Sequence, residues 1–255
     1  MAGVDQAQLF EFLCRMGDNT LVLGHRVSEW CGHAPALEED IALANTALDL
    51  IGQTQMWLGL AGDVEGNDRS ADDLAMLRDV WDFRNALLVE QPNGDFGQTM
   101  MRQFLFDAWH LVMLKALTGS SNDRVAAIAA KSVKEVQYHV ERSGDTVIGL
   151  GDGTSESHQR MQKALNLLWP YVGEMFVADV VDDAMVEAGI APDLTDLRVE
   201  FDAHVGAALT EATLTTPDGG FAHKGGKSGF QHSEHLGHLL TQMQWLQRAY
   251  PGATW

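Results

Sequence analysis

The sequence is poor in cysteine, in basic residues and in long apolar runs. Its 255 residues include only Cys14 and Cys31, enough for two free thiols or one disulfide but not for a disulfide framework. Lys and Arg number 17 against 36 Asp and Glu, a formal charge of −19. A protein that grips nucleic acid neutralises phosphates with Lys and Arg, so this deficit argues against a nucleic-acid partner. It argues against an anionic membrane surface for the same reason. No apolar stretch approaches the ~20 residues of a membrane helix. The N-terminus, Met-Ala-Gly-Val-Asp-Gln, has no basic region ahead of an apolar run, so no secretory signal is expected. Alternating runs of Val, Ile and Tyr between turns, which strands need, are also lacking. These absences predict an acidic, cytoplasmic, globular chain, and its 45% apolar residues can build a sizeable core.

What is present is helical spacing. Leu9, Phe12, Leu13, Met16, Leu23, Val27 and Trp30 recur in steps of three and four, and Ile41, Ala44, Leu48, Ile51 and Leu58 repeat the pattern over 37–60. Gly32 and Pro35 separate the two stretches. Ser70 reads as the N-cap of a short helix with Asp72 and Asp73 in its first turn. Gln91-Pro92-Asn93-Gly94 reads as a turn. Long helices are predicted over 97–117, 122–150 and 155–188, the last bent near Pro170 and Gly173, with further helices over 192–214 and 233–249. A Gly-rich loop spans 217–229. The pattern predicts one all-α domain over 1–255, a four-helix bundle with additional C-terminal helices. Residues 174–202 hold nine acids against one base, Arg198, and read as a solvated face.

Bundles of this kind can hide a metal site. Carboxylate di-iron bundles take one Glu from each of two helices and Glu-x-x-His from each of two others. Three residues turn a helix by about 300°, so such pairs share a side, and carboxylate oxygen with imidazole nitrogen suits iron. Here the candidates are Glu29, near the end of the first helix, and Asp49, Asp107 and His139 within later ones. Three residues after Asp49 stands Gly52, where a site wants His; three before His139 stands Val136, where it wants Glu. Glu135 and His139 are an i, i+4 pair, an ordinary surface spacing as well. Asp107-Ala-Trp-His110 has metal-like spacing, but one such pair arises often by chance. The set reads as a di-iron site that has lost ligands, so no metal and no catalytic residue are assigned to this chain. Asp49 and Asp107, if interior, need cation or hydrogen-bond partners, for which Arg26 and Lys131 are the candidates.

Several segments resemble a known family. They are Gly17-Asp18-Asn19, Gly-His-Arg-Val-Ser-Glu-Trp-Cys-Gly-His-Ala-Pro (24–35), Ala-Leu-Asp-Leu-Ile-Gly-Gln (47–53) and Leu-Leu-Val-Glu-Gln-Pro-Asn-Gly (87–94). Asp-Ala-Trp-His (107–110), Lys-Glu-Val-Gln-Tyr-His (134–139), Glu-Ala-Thr-Leu (211–214) and His-Ser-Glu-His-Leu-Gly (232–237) continue the match. In order and over nearly the whole chain, these resemble the C subunits of phenylacetyl-CoA 1,2-epoxidase complexes. The resemblance implies a ferritin-like fold and a place in a monooxygenase of aerobic phenylacetate catabolism. It further implies a structural role beside an A subunit that carries the di-iron centre. A reductase with FAD and an iron–sulfur cluster would supply electrons from NADPH, with no cofactor in this chain.

Other readings compete. The chain could be an oxygenase itself, with a minimal site from Glu29, Asp49, Asp107, Glu135 and His139; iron storage rests on fold alone. His232, His235 and His238 could bind zinc, but a helix start at Ser233 packing at an interface between subunits is the plainer reading. Lys224 and Lys227, among glycines, could meet the anionic CoA part of the substrate, although a flexible loop is the more ordinary reading of that segment.

Overall fold

The computed structural model describes residues 5–218 and 223–253. Ten α-helices lie among them, in chain order: α1 Gln6–Ser28, α2 Leu37–Glu65, α3 Ala71–Met76, α4 Leu87–Glu90, α5 Phe96–Leu117, α6 Asp123–Gly151, α7 Ser155–Leu168, α8 Val180–Glu187, α9 Leu194–Glu211 and α10 Glu234–Ala249. Short 3-10 turns lie at Val80–Asp82, Trp169–Tyr171 and Gly173–Phe176. No strand occurs among the described residues. The fold is all-α, as a ferritin-like helical bundle requires. No single described helix is long and apolar enough to cross a membrane.

Two compact units make up the chain. The first comprises residues 1–90 and 225–255 and contains α1 to α4 and α10. Its spine is the α1–α2 hairpin. The packing runs antiparallel: a side chain at Gly17 would strike Leu58, the Thr20 and Thr54 hydroxyls are 2.8 Å apart, and Gly24 faces Ile51. Asp5 caps α1, its carboxylate accepting from the Ala7 N–H. Gly66, at φ +71, ends α2 in the left-handed conformation that glycine adopts without steric cost. Phe12 to Gly24 are buried without interruption, more than an amphipathic stripe of one face would give.

The second unit, residues 91–224, is built on the antiparallel pair α5 and α6 with α7 and α9 packed on it. Gly144 of α6 sits against the Phe104 ring, and Ser143 reaches Asp107. Thr99 to Leu114 of α5 are buried throughout. The turn at 91–94 is held by Arg102, which donates to the Gln91 carbonyl and, at 2.7 Å, to Asn93 Oδ1.

The stretch 155–188 breaks where a bend was expected. Pro170, with no amide hydrogen to give, falls in a 3-10 turn, a second such turn follows, and the helix restarts only at Val180. The restart has its own cap, since Asp179 and Asp182 form a reciprocal capping box. The acidic run 174–202 is therefore not simply a solvated face. Glu174 is 2% exposed, and Asp179 and Asp193 direct their charge at helix N-termini.

Candidate functional site

The sequence-predicted metal positions divide between the two units. In the second unit, Asp107 and His139 come close enough to attract each other electrostatically, and both are buried. Asp107 is held by neutral donors: Gln103 Nε2 at 2.7 Å on one oxygen and Ser143 Oγ at 3.0 Å on the other. Burial raises its pKa to about 6, a rise that His139, Ser143 and Gln103 only partly offset. Lys131, expected as a partner for Asp107, is exposed; neutral donors hold the carboxyl instead. Val136 is fully buried, so an apolar side chain fills the place of a ligand Glu.

His110 lies beside this group, fully buried against the Phe106 ring at 5.1 Å. Among the described residues neither of its ring nitrogens has a hydrogen-bond partner. Burial, helped by the nearby His139, lowers its pKa to about 3, so it is held neutral.

In the first unit, the corresponding residues sit at or near the surface. Glu29 is exposed and pairs with Arg26 at 3.1 Å. Asp49 is half-buried. Gly52 is exposed, and a Cβ placed there would meet nothing within 4 Å. A His at 52 would therefore point away from this unit's own core. Among the described residues no group of three or more His, Cys, Asp or Glu is arranged to hold a metal ion. A two-iron carboxylate centre does not fit this donor set, because Val136 and Gly52 supply no ligand atoms.

The buried charges that organise the first unit are others. Asp18 is fully buried and receives both terminal nitrogens of Arg78, one at 3.0 Å, together with the Arg84 N–H at 2.9 Å. Arg78 also lies over the Phe83 ring at 4.6 Å. Beside Asp18, Asn19 accepts from the Ala86 N–H at 2.8 Å. The Gly17-Asp18-Asn19 motif thus fixes the segment 78–86 on α1, and its glycine admits Leu58 of α2.

Glu90 forms a second such centre. Its Oε1 accepts from Asn85 Nδ2 at 2.9 Å and lies 2.6 Å from His232 Nδ1; its Oε2 accepts from the Ser233 N–H at 2.7 Å. Ser233 is the N-cap residue of α10, yet its hydroxyl makes no capping bond. The Glu90 carboxylate occupies that helix terminus instead, where a negative charge is stabilised. Arg26 closes the arrangement, donating to the backbone oxygens of Glu90 at 3.0 Å and His235 at 3.4 Å. Sequence reasoning placed Glu90 and His232 in motifs but did not pair them. They stand 142 positions apart, and no local spacing announces the contact.

His232 is engaged on its other side as well, with Nε2 3.2 Å from the Phe83 carbonyl. This fold contact occupies the ring atoms that a zinc ion would need. Lys224 is exposed, whereas Lys227 is half-buried in an ordered turn where Phe230 N–H donates to Gly225 O at 2.9 Å. Part of the Gly-rich loop, residues 219–222, lies outside the described residues.

Comparison with known proteins gives the setting for this geometry. Residues 1–255 match a family model described as phenylacetic acid catabolic protein. The chain is also similar to the C subunit of 1,2-phenylacetyl-CoA epoxidase from Escherichia coli (strain K12). Identity is 48% over 248 residues, covering 97% of this chain and 99% of that protein.

Proposed function

The chain belongs to the phenylacetic acid catabolic protein family, and from that premise we propose that it is the non-catalytic structural subunit of a cytoplasmic phenylacetyl-CoA 1,2-epoxidase. It pairs with the A subunit and supports it. The A subunit holds the di-iron centre, and a reductase with FAD and an iron–sulfur cluster delivers electrons from NADPH. One observation carries the non-catalytic reading. Where the α6 ligand position should offer a carboxylate it offers the buried isopropyl group of Val136, and the nearby Asp107 is bound by Gln103 and Ser143. The buried acids of the first unit are likewise committed to fold contacts, Asp18 with Arg78 and Glu90 with His232 and the start of α10.

Co-purification tests the reading. The full chain, co-expressed with the A subunit, is expected to elute with it in a fixed ratio, with iron following the A subunit alone. Tight stoichiometric iron in the isolated chain would instead favour the oxygenase reading.

A further inference from the structure

Helix α2 carries an apolar face that none of the described residues of its own unit covers. Leu37 is 72% exposed, Ile41 54% and Leu48 70%. With Gly52 and Gly59 they fall within an arc of about 60° that also takes in the exposed Gln55, the large apolar residues covering about 17 Å of helix and the glycines carrying the arc on to roughly 33 Å, at 3.6 residues per turn and 1.5 Å per residue. Scattered exposed apolar residues are ordinary, but an aligned stripe of this length marks an interaction surface.

The two glycines give an independent reason. Glycine inside a helix is destabilising, so it usually answers a packing need. At Gly17 that need is visible, since a Cβ would strike Leu58, and at Gly62 it would strike the Arg69 carbonyl. At Gly52 and Gly59, as at Gly149 of α6 and Gly206 of α9, a Cβ would meet nothing within 4 Å, but of these only the α2 pair lines up with several exposed large apolar residues on one face. The chain itself has no use for their smallness, whereas a second helix approaching from outside would. The face offers large residues toward its N-terminal half and hollows toward its C-terminal half, as helix packing of knobs against small residues needs.

Charge decides what comes there. α2 contains six acids (Glu38, Glu39, Asp40, Asp49, Asp63 and Glu65) and no Lys or Arg. A second copy would set two such helices together within a pair of chains that each carry −19, and like charges across an interface oppose association. Resting on the structural-subunit reading above, we propose that the outer face of α2 is the docking surface for the A subunit. Its occupant is an amphipathic A-subunit helix whose apolar seam is flanked by Lys and Arg.

The test uses the full chain co-expressed with the A subunit. The double variant Ile41→Asp/Leu48→Asp is expected to weaken association at least tenfold. Leu167→Asp, at an exposed leucine of α7, is expected to leave it unchanged. A second pair, Gly52→Leu and Gly59→Leu, adds bulk where this chain has open space. The isolated variant should melt no lower than the parent yet bind the A subunit at least tenfold more weakly, which separates docking from folding. Rising salt should slow association. If the parent binds the A subunit and both double variants bind equally well, the face is wrong and the pairing stands. If the parent binds no A subunit, the pairing fails and the proposal with it. An isolated parent that is dimeric, and monomeric after Leu48→Asp, would assign the face to a second copy and overturn the proposal.

Discussion

Glu90 Oε1 lies 2.6 Å from His232 Nδ1, and the same carboxylate receives the first amide of the α10 terminus. One buried acid thus joins α4 to a segment 142 residues later. Glu90 and His232, each in a segment that carries the family resemblance, meet at this contact. Their function here is to anchor the C-terminal helix.

Replacing Glu90 by Gln should therefore loosen α10 before anything else. The amide keeps the shape but loses the charge facing the helix terminus and the His232 ring, a loss of about 2–3 kcal/mol for a charge-assisted contact. Hydrogen exchange across residues 234–249 is expected to rise while exchange in α5 and α6 stays as in the parent. Uniform exchange across both units would contradict the anchoring role.

Asp18 and Arg78 form a pair that should tolerate loss of neither partner. Both side chains are almost fully buried, so Asp18→Ala leaves a guanidinium without its counter-charge, a cost of about 3–5 kcal/mol. Denaturant unfolding should show that loss for Asp18→Ala and a comparable one for Arg78→Met, with the double variant costing less than the sum. Additive costs would mean that the two residues do not act as a pair.

Asp107 sets a pH dependence of stability. Burial raises its folded pKa to about 6 from the ordinary value of 3.8, so the folded state holds the proton more tightly than the unfolded chain. The carboxylate then costs stability above pH 6, up to about 3 kcal/mol, and that cost disappears as pH falls through 6 toward 4. Asp107→Asn is expected to stabilise the chain at pH 8 and to give little at pH 4.5, read from urea midpoints at the two pH values. His110 acts in the opposite sense. Its pKa is lowered to about 3, so its contribution is lost as pH falls below 6.5, and it masks part of the Asp107 gain in the parent.

The two cysteines should react unequally. Both are free; Cys31 is exposed, whereas Cys14 is buried with its thiol pushed up to about 12 by burial and the nearby Asp18. Since the thiolate is the reactive form, a thiol reagent is expected to titrate one group per native chain and two after denaturation. Two fast-reacting thiols in the native chain would refute the buried placement of Cys14.

Residue order was enough to locate most of the long helices, though not α4 or the breaks within 155–188. Spacing of three and four located α1, α2, α5, α6, α9 and α10, and Ser70, Gly32 and the Gln91-Pro92-Asn93-Gly94 turn marked boundaries through local backbone chemistry. It also shows Gly52 and Val136 at the helical offsets where a di-iron bundle would carry His and Glu. Which polar residues are interior came only from packing in three dimensions. Periodicity reports one apolar face, but α1 and α5 are buried nearly all round, so Asp18, Asn19, Arg102, Gln103 and His110 are enclosed although nothing in their spacing distinguishes them. Packing set the partners too, since a buried charge takes its counter-charge or donor from whatever element lies against it. For Asp18 that is Arg78, 60 positions away; for Glu90 it is His232; and for Asp107 it is Ser143 across the α5–α6 hairpin.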